Sequence, residues 1–417
     1  MPRAGASPYA DLLRSSGALA FCAPAFVGRT PMAMYSVGTV LLISARTGDY
    51  ALAGAVAAVG FAGSAVVIPA AAALADNLGQ RRILIPQALI FLAATAVFIA
   101  CAELRSPGWL LLATGAPAGA AMPSLGPMVR ARWSALIGTA PSRLEQAFAL
   151  ESVNDDLISV IGPVLVTALA TGLNPAAGIG AAAVLSVAGT LAFAAQRRTE
   201  PVPQPRPAGR AAGRSPVRRR HIRLPAPGLI TLAPAFVLFG STMGAIELAS
   251  VAFATEHGLR SQTGTILGAF AVGSALGGLW YGTRRWHAPL EQRFALSLVA
   301  YAAGMSAVLA EPGLLVLGAS MLIAGAGVSP MLITGYAIAE RQAPGRRRTE
   351  AMAWIGSAIL TGAAGGSALA GPIINAGGAR AAYLLAACCA VLSALIGLAG
   401  LGRLRAPALP EAAEVAG

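Results

Sequence analysis

The sequence predicts an all-α membrane protein of twelve transmembrane helices, arranged as two pseudo-symmetric six-helix bundles. Three observations carry that expectation: more apolar surface than a soluble core can hold, uncharged runs of bilayer-crossing length, and a pattern that restarts halfway along the chain. Hydrophobic residues make up 56% of the 417 residues and charged residues 11%, with a mean hydropathy of +0.69. A soluble domain of this length has too small an interior for that much apolar surface, so lipid must act as part of the solvent. A helix needs about 20 apolar residues to cross about 30 Å of hydrocarbon, and runs of that length recur between charges. They are rich in Ala, Gly, Leu and Val and lack two-residue alternation, which suits self-satisfied helices and not the strands of a membrane barrel.

Apolar runs bounded by charges, prolines and glycines place the first six spans at 17–45, 49–75, 82–102, 107–129, 146–171 and 175–196. The second six fall at 228–253, 261–283, 292–310, 313–338, 350–375 and 379–402. This gives a first bundle over 1–196, a linker over 197–227, a second bundle over 228–403 and a tail over 404–417. The first apolar stretch lacks the short core and small-residue cleavage site of a signal peptide, so it is expected to stay as span one. The linker carries Pro201, Pro203, Pro205, Pro207 and the run Arg218–Arg219–Arg220, the composition of a solvated segment near anionic headgroups.

Orientation follows from arginine, the only basic side chain apart from three histidines. With the N-terminus inside, 25 arginines fall on the cytoplasmic side, among them Arg81, Arg82, Arg130, Arg132, Arg143 and Arg341. Four fall outside (Arg46, Arg105, Arg260 and Arg380), and Arg29 lies within a span. Short cytoplasmic loops accumulate positive charge, so both termini are expected on the cytoplasmic side of the inner membrane.

Several function classes are disfavoured. The net charge of +13 is spread as punctuation between apolar runs and not gathered on a soluble face, which argues against nucleic acid. Cys22, Cys101, Cys388 and Cys389 sit in apolar runs with no CxxC pair, and His221, His257 and His287 fall near loops, so no metal ligand set and no cofactor is expected. The chain has no GxxxxGK[ST] phosphate loop and no nucleophile–base arrangement, which disfavours ATP hydrolysis and enzymatic activity in general.

The two halves repeat. Ala23–Pro24–Ala25–Phe26–Val27 returns as Ala233–Pro234–Ala235–Phe236–Val237, and Gly63–Ser64–Ala65 as Gly273–Ser274–Ala275, both 210 residues later. Gly162–Pro163 returns as Gly371–Pro372, and Arg143–Leu144–Glu145 as Arg348–Thr349–Glu350, at offsets of 209 and 205. Parallel six-span repeats can rock about a ligand held between them.

The loop after span two reads Ala72–Ala73–Leu74–Ala75–Asp76–Asn77–Leu78–Gly79–Gln80–Arg81–Arg82. It resembles the signature loop of the major facilitator superfamily, Gly-x-x-x-Asp-(Arg/Lys)-x-Gly-Arg-(Arg/Lys). Asp76, Gly79 and the basic pair Arg81 and Arg82 match, whereas Ala72, Asn77 and Gln80 depart from the pattern. The second copy, around Gly278 to Arg285, lacks the aspartate. The resemblance implies the twelve-helix fold of that superfamily, a small-molecule substrate and a cytoplasmic gate in which Asp76 pairs with Arg130 or Arg132. Drug/proton antiporters of the superfamily carry an arginine within span four and an extended glycine motif in span five. Here span four has no arginine before Arg130, and only Gly162–Pro163 remains of the motif.

Charges at bilayer depth cost several kcal/mol unless they face a partner or a cavity. Arg29 lies about 12 residues into span one, near the midplane at about 1.5 Å per residue, and needs an acidic partner. Span five supplies Glu151, Asp155 and Asp156, of which Glu151 and Asp155 are four apart and share a helix face. Arginine stays protonated, so any proton must ride on a carboxylate: Asp155 first, then Asp156 and Glu151. Glu247 in span seven is a candidate for the cavity or an outer gate, and Tyr35, Ser241 and Trp354 for its lining. The expectation is a monomeric, proton-coupled secondary transporter of a small organic solute, with efflux favoured. The alternative is a non-transporting sensor or scaffold on the same fold, with the Arg29 pair as a static brace.

Overall fold

The computed structural model describes residues 12–15, 17–137, 141–202, 227–284, 286–310, 313–342 and 348–405; residues 203–226 of the expected linker and 406–417 of the tail lie outside this set. All regular structure among the described residues is helical. Helix α1 (Ala18–Thr47) stops at Gly48, whose φ of 70° lets its N–H turn back onto the Ser44 carbonyl. Asp49 then accepts from the N–H groups of Ala51 and Leu52, at 2.8 and 3.2 Å, and so caps α2 (Tyr50–Leu78). Gly79, at φ 96°, joins α2 directly to α3 (Gln80–Glu103), a conformation that side chains rarely adopt.

The expected fourth span arrives in two pieces, α4 (Gly108–Ala120) and α5 (Leu125–Ile137), separated by a break that contains Pro123. Gln87 of α3 donates from Nε2 to the carbonyl of Met122 in that break, at 3.0 Å, so an oxygen outside the helical ladder is satisfied. Helices α6 (Pro141–Gly172) and α7 (Ala177–Ala195) complete the half. The second half runs α8 (Pro227–Glu256), α9 (Thr263–Thr283), α10 (Leu290–Ala307), α11 (Leu314–Ala326), α12 (Val328–Gln342), α13 (Arg348–Ala399) and α14 (Leu401–Arg405). Its fourth span is interrupted too, at Gly327 between α11 and α12.

Ten helices among the described residues are long and apolar enough to cross a membrane. The difference from twelve has two causes. Span four is split into two 13-residue helices, each short of bilayer length. Spans eleven and twelve run on as the 52-residue α13, inside which Gly378, at φ 71°, leaves the helical conformation. Twelve crossings remain consistent with this architecture. Large apolar side chains such as Leu89, Ile90, Leu315 and Leu392 stand half or more exposed, the outward-facing surface of a protein solvated by lipid.

The described residues fall into two compact units, one drawn from residues 1–206 and 254–268, the other from 207–253 and 269–417. Within the first, α1 lies so close to α7 that a Cβ on Gly189 would overlap the backbone of Gly28. Helices α2 and α4 meet at Gly60 and Gly119, and a Cβ on Gly63 would come within 2.7 Å of the Ala120 Cβ and 3.3 Å of the Ala116 oxygen. The second unit repeats that contact 210 residues later, because a Cβ on Gly273 of α9 would strike the Leu322 carbonyl of α11. Small residues therefore set helix separation in both units, as expected where lipid removes much of the hydrophobic drive for association.

A three-helix clasp is also duplicated. In the first unit the Arg132 guanidinium, in the middle of α5, donates from Nε to Gln80 Oε1 at the start of α3 (2.9 Å). It also donates from Nη1 to the carbonyl of Gln196, just after α7 (2.8 Å). In the second, Arg341 near the end of α12 donates from Nη2 to Glu291 at the start of α10 (3.2 Å) and to the Leu404 carbonyl in α14 (2.8 Å). The offsets between corresponding positions are 211, 209 and 208 residues, so the repeat legible in the sequence is carried into hydrogen bonding.

Candidate functional site

Helix α1 delivers Arg29 to the interior of the first unit. Its neighbour Gly28 has no side chain, which lets α1 press against Gly189 of α7, and Gly126 of α5 leaves space beside the guanidinium, about 3.9 Å from Nε to where its Cβ would stand. Phe21, Ala25, Leu125, Met128, Val129 and Phe193 form an apolar shell on the same side of α1. An arginine in such a place, 7% exposed, must be paired.

Helix α6 supplies the pairing. Four residues is close to one helical turn, so Glu151 and Asp155 project from the same face and both reach Arg29. Nη1 donates to Glu151 Oε2 at 2.6 Å, and Nη2 meets Asp155 Oδ1. The two carboxylates differ in surroundings. Glu151 is 1% exposed, and its other oxygen accepts from the Trp133 indole N–H at 3.0 Å and from the Cys22 thiol at 3.8 Å. Trp133, fully buried, is itself held edge-on by Phe21, with ring centroids 5.0 Å apart. Asp155 has 43% of its side chain exposed, and its Oδ2 accepts from Nη2 of Arg130 at 3.1 Å. Asp155 thus bridges a buried guanidinium and a partly exposed one.

The structure brings together four of the residues expected from sequence: Arg29, Glu151, Asp155 and Arg130. Asp156 is half-buried and makes no ion pair among the described residues. Glu247 is half-buried on α8, in the second unit. In the loop after α2, the side chain of Asp76 lies outside the described residues, so the expected Asp76 pairing does too. Gly79 forms the tight corner, Arg82 is exposed, and the backbone N–H of Arg81 donates to Glu200 Oε1 at 3.0 Å. Arg130 is engaged by Asp155, and Arg132 by Gln80, Gln196 and the face of the Phe193 ring, 3.7 Å from its centroid. Gln80, which departs from the superfamily pattern, now has a physical reason: it presents its Oε1 to Arg132, where an arginine would set two guanidinium groups against each other.

Tyr35 is buried against Phe91, with centroids 5.5 Å apart, and Ser241 donates to the Val237 carbonyl of its own helix; Trp354 has its side chain outside the described set. Gly162 lies against Ala33 of α1, a close helix approach. Sequence reading missed Trp133 and Cys22. Both sit in apolar or basic surroundings that carry no signal of a carboxylate partner, and only the folding of α1, α5 and α6 onto one another puts them beside Glu151.

Residues 25–290 match the family model of the Major Facilitator Superfamily. Solved structures of the same fold include a mutant of the nucleoside transporter NupG, with a TM-score of 0.70 at 14% identity, covering 92% of this chain and 99% of that one. A bacterial homologue of the iron transporter ferroportin, in an inward-facing state, gives 0.70 at 13% identity, covering 94% and 99%. A mutant of the peptide transporter POT gives 0.70 at 16%, covering 93% and 94%. Among curated proteins, none matches the sequence. With the family model covering well over half of the chain, and with membrane-length helices, a repeated half and a matching fold, the chain belongs to the major facilitator superfamily of membrane transporters.

Proposed function

We propose that the protein is a monomeric, proton-coupled secondary transporter that moves a small organic solute, in the efflux direction, across the cytoplasmic membrane by alternating access. Both termini are placed in the cytoplasm, as the arginine asymmetry favours. The observation that carries the reading is the shared carboxylate: Asp155 touches the buried Arg29 and the partly exposed Arg130 at once, and 43% of its side chain is left uncovered by protein. Protonating Asp155 removes the charge that holds both guanidinium groups, and deprotonating it restores them. A guanidinium released in this way is available to a polar or anionic group of a substrate, which links occupancy to the proton. Glu151, buried and held by three donors, keeps Arg29 in place through the cycle.

The test is transport in liposomes under an imposed proton gradient, with drugs, sugars, nucleosides and amino acids screened as substrates, followed by the Asp155→Asn variant. The variant is expected to bind or exchange the substrate without uphill accumulation. Fully proton-driven accumulation by the variant removes Asp155 from the role of carrier.

A further inference from the structure

At the end of the first unit where α1 and α3 finish, Arg46 and Glu103 form an ion pair at 2.5 Å, and beside α1 a cavity opens between its last turns and the end of α6. We propose that this cavity is a binding site for a small oxyanion, a carboxylate, sulfate or phosphate group, with Arg260 as its counter-charge. The site stands apart from the Arg29 network and does not depend on the transport reading.

The cavity has a volume of about 350 Å³ and is lined by Leu41, Ala170, Thr171, Asn174 and Arg260 among others, with no acidic side chain in its wall. Arg260 comes from residues 254–268, which belong to the first unit, and Gly264 in the same segment lies directly on the Pro163 carbonyl of α6. The guanidinium spends one nitrogen, Nη2, on two neutral acceptors, the Leu41 carbonyl and Ser44 Oγ, each at 2.8 Å. No carboxylate lies within ion-pair distance of it among the described residues, and no hydrogen bond engages its Nε or Nη1 there. The guanidinium is half-buried and keeps Nε and Nη1 for a ligand, and its planar fork suits an oxyanion.

Asn174 adds a second donor by elimination. Its Oδ1 accepts from the N–H groups of Ala176 and Ala177, at 3.0 and 2.8 Å, an Asx turn ahead of α7 that occupies the acceptor end of the amide. The Nδ2 hydrogens remain for the cavity, which Asn174 lines. One fixed cation and one amide donor around a space of this volume select a small anion over a cation or an apolar solute.

The test uses the full-length protein in phosphatidylcholine nanodiscs, titrated with sulfate, phosphate and citrate against chloride at matched ionic strength, with thermal unfolding and calorimetric binding as readouts. Wild type is expected to bind at least one oxyanion saturably and to gain a few degrees in Tm. Arg260→Gln is expected to lose at least tenfold in affinity. Thr171→Phe, which fills the cavity and leaves the guanidinium intact, is expected to lose as much, and it decides the matter if Arg260→Gln fails to fold. A parallel arm replaces part of the lipid with phosphatidylglycerol: stabilisation by that lipid, lost in both variants, assigns the oxyanion to a headgroup. Absence of saturable binding in wild type overturns the site, and so does unchanged binding in Thr171→Phe, which would place the anion on the arginine-rich linker.

Discussion

Arg29 has two carboxylates, and their surroundings give them unequal weight. Glu151 is sealed among Arg29, Trp133 and Cys22, whereas 43% of the Asp155 side chain is left uncovered by protein. Removing one member of a buried pair leaves an uncompensated charge, which costs about 3–5 kcal/mol, whereas a half-exposed pair contributes on the order of 1 kcal/mol or less. Glu151→Gln is therefore expected to lower Tm in detergent far more than Asp155→Asn; equal effects would contradict the division of roles. Replacing the pair with apolar groups of similar size is often neutral for folding. Arg29→Met with Glu151→Leu is accordingly expected to restore membrane insertion and Tm while transport stays lost, and a transport-competent double variant would show that the pair is only a brace.

The helices are held at small residues and at the ends joined by the repeated arginine clasp. Gly79 takes a backbone conformation, φ 96° and ψ 145°, that is nearly restricted to glycine, so Gly79→Ala is expected to cost about 1–3 kcal/mol, read as reduced Tm with insertion retained. The Gln80–Arg132 contact offers a test of the duplicated clasp. Gln80→Arg is expected to destabilise by setting two cations together, and the swapped pair Gln80→Arg with Arg132→Gln to recover most of the loss; no recovery would show that Arg132 is held chiefly by the Gln196 carbonyl and Phe193.

At the level of the whole molecule the repeat is close in packing and broken in charge. The position 210 residues after Arg29 is Phe239, buried among Phe236 and Tyr301 with centroids 6.4 and 5.5 Å away, so an aromatic cluster in the second unit stands where the first has its ion pairs. Orientation is testable on the same scale. With the four native cysteines replaced, a single cysteine at the exposed Arg143 is expected to react only with reagent from the cytoplasmic side, and one at the exposed Arg105 only from outside. The reverse pattern would invert the topology drawn from the arginines.

Sequence alone determined a lipid solvent, a multi-span helical chain and the kinship of the halves, because long uncharged runs and a 210-residue offset are properties of the chain in one dimension. It also placed Glu151 and Asp155 on one face, since a spacing of four is fixed by helix geometry. What it left open was decided by how helices pack. The break that splits span four, the choice of Asp155 for Arg130 and Gln80 for Arg132, and the enclosure of Glu151 by Trp133 and Cys22 all depend on the rotation of α1, α3, α5 and α6 about their axes. Apolar faces all round give those rotations no signature in the order of residues; the close approach of glycines such as Gly28 and Gly189 sets them only when the helices meet.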